Sequence, residues 1–352
     1  MNLDDSTTFE GLDPADALGD VERSAEQWAD ARRRADVTLD LAGIDHVVVV
    51  GMGGSGIAGD VVAAVAAAEP ASAPAARLPI LVHKGYGAPP YVGPRTLVVA
   101  CSYSGGTEET LSGVDAALKA GARMFAVTQG GALGERVEAA GAPMVQIPAS
   151  TRQPRHSLGY LAVPVLVALG LDAGLGEAVE VQAELAAATA RDIRTADNHA
   201  KQLALRLASG SVPLAWGARG LGAVAAYRLK CQLNENAKLP AYWAEVPELD
   251  HNEIVGLQEP SPLAGNLGLV LLRDPHGEHT RIATRFTVTE ELVRRRFAWI
   301  AEVAAAGESP VARLASLLLL ADLASVYTAL ELGHDPTPIP SIDRLKQALA
   351  DS

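Results

Sequence analysis

Short, mostly apolar runs at 46–50, 79–83, 96–101, 123–127 and 143–147 alternate with Ala-rich stretches of helical character, notably 57–68 and 107–120, after a helical opening to about residue 43. Runs of this length and uniformity predict strands covered on both faces, and the stretches between them supply the crossovers that parallel pairing requires. The pattern specifies an α/β fold, a parallel sheet flanked by helices on both sides. A Pro-containing break at 150–154 leads into about 50 residues of helical pattern. Strand, Gly-rich turn and helix then recur at 212–230, and another apolar strand follows at 267–275. A duplicated fold in two domains is expected, divided as 1–153 and 154–352.

Two turns in the first unit bear chemistry. VVVVGMGGSGIAGD, 47–60, and CSYSGGTEETL, 101–111, each close an apolar strand with small residues and open a helix. Backbone N–H groups approach a ligand closely at such turns, and the helix N-terminus adds positive potential. Gly53, Gly54, Ser55, Ser102, Ser104 and Thr107 are therefore expected to hold one phosphate between neighbouring strand ends. The first turn also satisfies GxGxxG, but the dinucleotide fingerprint wants an acid at the end of the next strand. That strand ends in His83 and Lys84, and Glu69 lies in an Ala/Pro linker, so a nicotinamide or flavin site is not expected. The second unit's turn has Arg219 and three glycines without a serine cluster, which leaves one working phosphate site.

Composition narrows the classes further. The chain has 352 residues, 49% of them apolar and few aromatic, enough for an Ala, Val and Leu core. A net charge of −13 argues against a nucleic-acid surface, which needs clustered Lys and Arg. Cys101 and Cys231 suggest no disulfide framework, read as structural thiols and fit a reducing cytoplasm. The acidic start, MNLDDSTTFEGLDPADALGD, does not read as a signal peptide. The apolar helix from 311 is interrupted by Arg313 and Asp322 and reads as a core helix, not a membrane span. His276 and His279 in HGEH lack further clustered ligands, so no metal is expected.

GMGGSGIAGD, SYSGGTEETL, QPRHSLGY, NENAKLPAYWAEVPELDHNEIVG and IDRLKQAL, spread in this order over nearly the whole chain, resemble the bifunctional phosphoglucose/phosphomannose isomerases. These are double sugar-isomerase (SIS) domain proteins of the phosphoglucose isomerase superfamily. The resemblance implies interconversion of glucose 6-phosphate and/or mannose 6-phosphate with fructose 6-phosphate through a cis-enediol(ate), without cofactor or metal. It also implies a homodimer in which a histidine reaches across to the partner's site. It places the base at Glu235, the enediolate stabiliser at Arg155, and ring opening on His251 and Lys346. The chemistry of each side chain suits the role so implied. A carboxylate can carry a proton between two carbons, a guanidinium can meet developing negative charge, and His and Lys can exchange protons with ring oxygens.

Asn234 and Asn236 flank the base and can orient a carboxylate and a sugar hydroxyl. Arg152 reads as a surface charge; Glu245, Glu248 and Glu253 read as structural, and Thr337 as a residue lining the pocket. His156, Asp250 and Gly106 depart from the family's pattern. Two rivals are a non-catalytic sugar-phosphate sensor and an isomerase of amino-sugar or heptose phosphates. The acidic opening lacks the basic helix-turn-helix of a regulator, and NENAK and LDHNE favour the hexose enzyme.

Overall fold

Every strand pairing in the computed structural model, which describes residues 2–151, 153–258, 263 and 265–351, is parallel. Helices α1 (Ser6–Leu12), α2 (Ala17–Glu22) and α3 (Ser24–Arg34) precede β1 (His46–Val50), α4 (Gly53–Ala68), β2 (Ile80–His83), β3 (Thr96–Ser102), α5 (Glu108–Lys119), β4 (Arg123–Thr128), α6 (Gly131–Ala139) and β5 (Met144–Gln146). A 3-10 turn at Pro154–His156 leads into α7 (Leu158–Ala168), α8 (Leu175–Ala188) and α9 (His199–Leu207). The remainder comprises β6 (Val212–Ala218), α10 (Leu221–Glu235), β7 (Tyr242–Val246), α11 (Glu253–Gly256), β8 (Leu267–Arg273), α12 (Thr280–Val293), β9 (Trp299–Ala304), α13 (Pro310–Glu331) and α14 (Pro340–Ala350).

The sheets run β2-β1-β3-β4-β5 and β7-β6-β8-β9, so the second repeats the first without its fifth strand. Duplication extends to the backbone at the first turn of each unit. A Cβ at Gly56 would lie 2.7 Å from the Gly51 carbonyl oxygen, and one at Gly217 would lie 2.1 Å from that of Gly222, so strand end and helix approach backbone to backbone in both. β7 and β9 escape the apolar-run pattern because both are edge strands: Tyr242 and Trp243 are exposed and β9 is only partly covered, so polar residues interleave. The helical opening stops at Arg34 rather than near 43, where Asp36, Val37 and Thr38 combine low helix propensities.

α13 is the shared core of the two halves. Its Leu314, Leu317, Leu318, Leu323, Val326 and Leu330 are fully buried, and it packs on α4, α8, α9 and α10. It is long and apolar enough to cross a membrane, yet 89% of its most apolar window is buried inside the protein. The charges that interrupt it are paired: Arg313 with Asp274 at 2.8 Å, and Asp322 with Arg228 at 2.6 Å.

α3 grips the turn before α7. The Gln27 amide donates to the His156 carbonyl (2.8 Å) and its oxygen accepts from the Gly159 N–H (2.7 Å). His156 fills the space beneath α2 and α3, 5% exposed, with Nδ1 4.0 Å from Asp20. Burial, and then the neighbouring Arg155, lower its pKa to about 3, so the ring is neutral at physiological pH.

Two outcomes are expected of this packing. Gly217→Ala should destabilise the protein by about 3 kcal/mol through overpacking against backbone, measured by urea unfolding, whereas Gly11→Ala, with open space around it, should not; equal effects would refute the close-approach account. His156 binds its proton more weakly folded than unfolded, so its contribution is complete above the unfolded value of 6.5 and is lost as pH falls toward 3. Stability should decline between pH 6.5 and 4 with a slope of up to about 1.4 kcal/mol per unit from this group, and His156→Gln should flatten that slope.

Candidate active site

The order β2-β1-β3 puts the topological switch between β1 and β3, where open α/β sheets bind ligands beyond the strand C-termini. α4 and α5 both begin there, and neither N-cap, Met52 or Thr107, gives a side-chain hydrogen bond to its helix, so the first-turn N–H groups lack a capping side chain. Gly53, Gly54 and Ser55 form the first turn of α4 itself. Ser55 is buried and its Oγ accepts from the Tyr103 N–H (3.2 Å), which ties the two turns together. Ser102 Oγ lies 3.0 Å from Thr107 Oγ1 and accepts from the Gly105 N–H (3.1 Å), while Ser104, exposed, accepts from the N–H of Gly106 (3.3 Å). The six residues of the expected phosphate site are thus brought to one place.

The same turns abut the second cluster. A Cβ on Gly54 would lie 3.2 Å from Arg155 Cα and from the Pro154 carbonyl oxygen, so glycine lets the helix start tight against this segment where a side chain would require the backbone to give by a few tenths of an ångström. Tyr103 OH donates to the Thr151 carbonyl (2.9 Å), and Thr151 Oγ1 contacts Ser157 Oγ, linking the second turn to the residues around Arg155.

Arg155 is 3% exposed and reaches into the second half of the molecule. Its Nε donates to Asn236 Oδ1 (2.6 Å), Nη1 to Glu235 Oε2 (3.4 Å), and Nη2 to the carbonyls of Pro336 (2.8 Å) and Thr337 (2.9 Å). Four of its five N–H donors are used in this way. Glu235 is the last residue of α10. Helix C-termini favour cations, so an acid there needs a counter-charge, and Arg155 supplies it. The contact is long and the Glu235 side chain is 28% exposed, which leaves the carboxylate accessible.

α10 ends in a turn in which the Leu239 N–H donates to the Leu233 carbonyl (3.1 Å) and Lys238 takes a left-handed conformation at φ 55°, where glycine is usual. Lys238 Nζ donates to the carbonyls of Asn236 (3.1 Å) and Asp335 (2.6 Å). Together with Arg155 it holds three successive carbonyls of 335–337. Burial, and then Arg155, lower the Lys238 pKa to about 8. The sequence marks neither this lysine nor Arg228, and marks Asp322 only as a charge interrupting an apolar helix, because no local signal reveals a non-glycine left-handed residue or a buried pair 94 positions apart.

The remaining candidates are placed differently. His251 ends a 3-10 turn after β7 and Lys346 lies on α14; both are exposed, and among the described residues neither is hydrogen bonded or ion paired to Glu235 or Arg155. Asp250 accepts from Arg285 (2.9 Å) and Thr289 (2.7 Å) and so anchors α12. Asn234 donates to the Leu239 carbonyl (2.9 Å) and serves the helix end, leaving Asn236 as the neighbour that meets Arg155. Thr337 meets Arg155 through its carbonyl. His276 pairs with Glu308 (3.5 Å) and His279 caps α12. Arg152 lies outside the described residues.

Residues 196–349 match the family described as bacterial phospho-glucose isomerase C-terminal SIS domain. The chain is 37% identical to a bifunctional phosphoglucose/phosphomannose isomerase of Caldicellulosiruptor bescii, over 91% of this chain and 94% of that protein. It is 34% identical to one of Aquifex aeolicus, over 89% and 93%. Among solved structures, the C-terminal domain of glucosamine-fructose-6-phosphate aminotransferase from Francisella tularensis superposes with a TM-score of 0.68 at 16% identity, covering 91% of this chain and 97% of that one, a likeness of fold. Identity at this level over nearly full length, on a duplicated parallel fold with both motif clusters in place, makes this chain a member of the bifunctional phosphoglucose/phosphomannose isomerase family.

Proposed function

We propose that this protein interconverts glucose 6-phosphate and mannose 6-phosphate with fructose 6-phosphate through a cis-enediol(ate). The observation that carries the reading is the meeting of Arg155, from the turn before α7, and Glu235, from the end of α10, directly beside the Gly54 turn. The substrate phosphate sits at Gly53, Gly54, Ser55, Ser102, Ser104 and Thr107, which directs the sugar carbons toward the pair. Glu235 takes the proton from carbon 2 and returns it to carbon 1, and the reverse for the ketose. The remaining Nη1 proton of Arg155 donates to the enediolate oxygen, and the other four bonds keep the guanidinium from having to reorganise as charge develops. Glucose and mannose differ in configuration at carbon 2 only, so both reach the same enediol once the ring is open, and rotation about the bond between carbons 2 and 3 presents either epimer's proton to the one base.

Charge stabilisation by a guanidinium requires no Lewis acid, and the reading is of a metal- and cofactor-independent enzyme. Ring opening falls to His251 and Lys346. Their exposure within one chain supports a homodimer in which His251 reaches the partner's site, with Ile342, Leu345 and Leu349 of α14 as an exposed apolar row. The two free cysteines fit a reducing cytoplasm.

Glu235→Gln should lower kcat for both aldose phosphates by about 10²- to 10⁴-fold and abolish solvent-deuterium exchange at carbon 2, while a sugar-acid phosphate inhibitor still binds. Wild-type exchange with either substrate would require a second base. Ser104→Ala combined with Thr107→Ala should raise KM more than it lowers kcat, because the phosphate contacts persist through the reaction. Ser55 is less suitable for that test, since it also satisfies the Tyr103 N–H.

A further inference from the structure

Behind Arg155 lies a set of buried polar groups with no direct part in the chemistry above. Arg228 and Gln232 on α10 and Asn236 at its C-cap recur every four residues along one face, and Asp322 and Ser325 face them from α13. Arg228 donates from Nε to Asp322 Oδ1 (2.7 Å) and from Nη2 to Asp322 Oδ2 (2.6 Å), and Nη2 also donates to the Arg155 carbonyl (2.8 Å). Gln232 donates to Asp322 Oδ1 (2.9 Å). Ser325 Oγ donates to the Asp322 carbonyl (2.7 Å) and accepts from Asn236 Nδ2 (2.9 Å). Asn236 Oδ1 accepts from Arg155 Nε (2.6 Å). The path leaves Arg155 by its backbone oxygen and returns to it through its side chain, a closed ring whose members are all buried.

We infer that Arg228, Asp322 and Ser325 are positioning residues that fix both the backbone and the guanidinium of Arg155, and that Asn236 is the link through which they act on its side chain. The inference rests on the isomerase reading for its kinetic consequences. Desolvating an arginine and an aspartate in a helix interface is poorly repaid as stability, since well-packed apolar residues of similar volume serve as well. What such a pair adds here is direction. Asp322 locks the Arg228 plane, Arg228 sets the Arg155 carbonyl, and Ser325 sets which way the Asn236 amide points, so that its oxygen faces Nε. A guanidinium held at both ends presents Nη1 in one place, and small misplacements of a charge stabiliser are costly to the rate.

Ser325→Ala is the sharpest test, because it removes one hydroxyl two hydrogen bonds away from Arg155 and leaves the ion pair intact. It should lower kcat per folded molecule about 10-fold with KM and affinity for inorganic phosphate nearly unchanged, on top of the fall in melting temperature that leaving the buried Asn236 amide unpaired brings; a merely structural role would lower the melting temperature and leave kcat per folded molecule alone. The loss should vanish when Ser325→Ala is added to Arg155→Lys or, independently, to Asn236→Ala, since its effect passes through both. A crystal structure of Ser325→Ala should show Asn236 and Arg155 in more than one rotamer. Unchanged kcat, additive losses in either background, or Arg155 in its original single rotamer would each overturn the inference. A wild-type enzyme without hexose-phosphate turnover would instead refute the functional reading, and the ring would then be judged on the rotamers alone.

Discussion

The guanidinium of Arg155 holds the two halves of this molecule in register. It originates beside the first sheet, in a turn pressed against the α4 N-terminus, and its donors end on α10 and on the 336–337 segment of the second half. A buried cation cannot be left without acceptors, because desolvation would cost several kcal/mol. The segments that surround it must therefore sit where their oxygens meet it. That requirement fixes the end of α10, the left-handed turn at Lys238 and the path from α13 toward α14.

The same constraint orders the chemistry. The expected phosphate turns and the Arg155–Glu235 pair adjoin through the glycine at 54, where a side chain would push helix and turn apart. Glu235 stands at a helix end that would by itself disfavour a negative charge. It is accessible, whereas the arginine beside it is deeply buried and held by four hydrogen bonds. His156 obeys the same restriction on charge: buried next to Arg155, its ring stays neutral and adds no competing cation.

Duplication explains why the two halves look alike and act differently. Both sheets keep the order in which the first strand lies between the second and third, and both keep the close backbone approach after that strand. The first unit's turns carry Ser55, Ser102, Ser104 and Thr107, whereas the second unit's first turn, 217–222, has no hydroxyl side chain. The second unit turns the far end of its helix, not the near one, toward Arg155, so the equivalent helices α4 and α10 meet there by opposite termini, the uncapped N-terminus of one and the Glu235 end of the other.

Much was legible in the residues themselves. Buried parallel strands are uniformly apolar, and glycine-serine turns at their ends allow close approach of backbone, so the first sheet, the duplicated strand order and the turns that come together at the switch point could be read locally. The motif series identified the family, and the resemblance pointed to Arg155 and Glu235, which the fold brings into contact. The edge strands β7 and β9 could not be read in this way, because partial exposure dilutes the apolar signal. Nor could Arg228, Asp322, Ser325 and Lys238, whose significance is relational. A buried Arg–Asp pair across 94 residues, a serine that orients an amide, and a lysine in a glycine's conformation acquire meaning only when helices α10 and α13 pack face to face. Chain-local patterns determine which segments become strands, helices and turns; which polar groups are then deprived of water, and must find one another, is decided by packing alone.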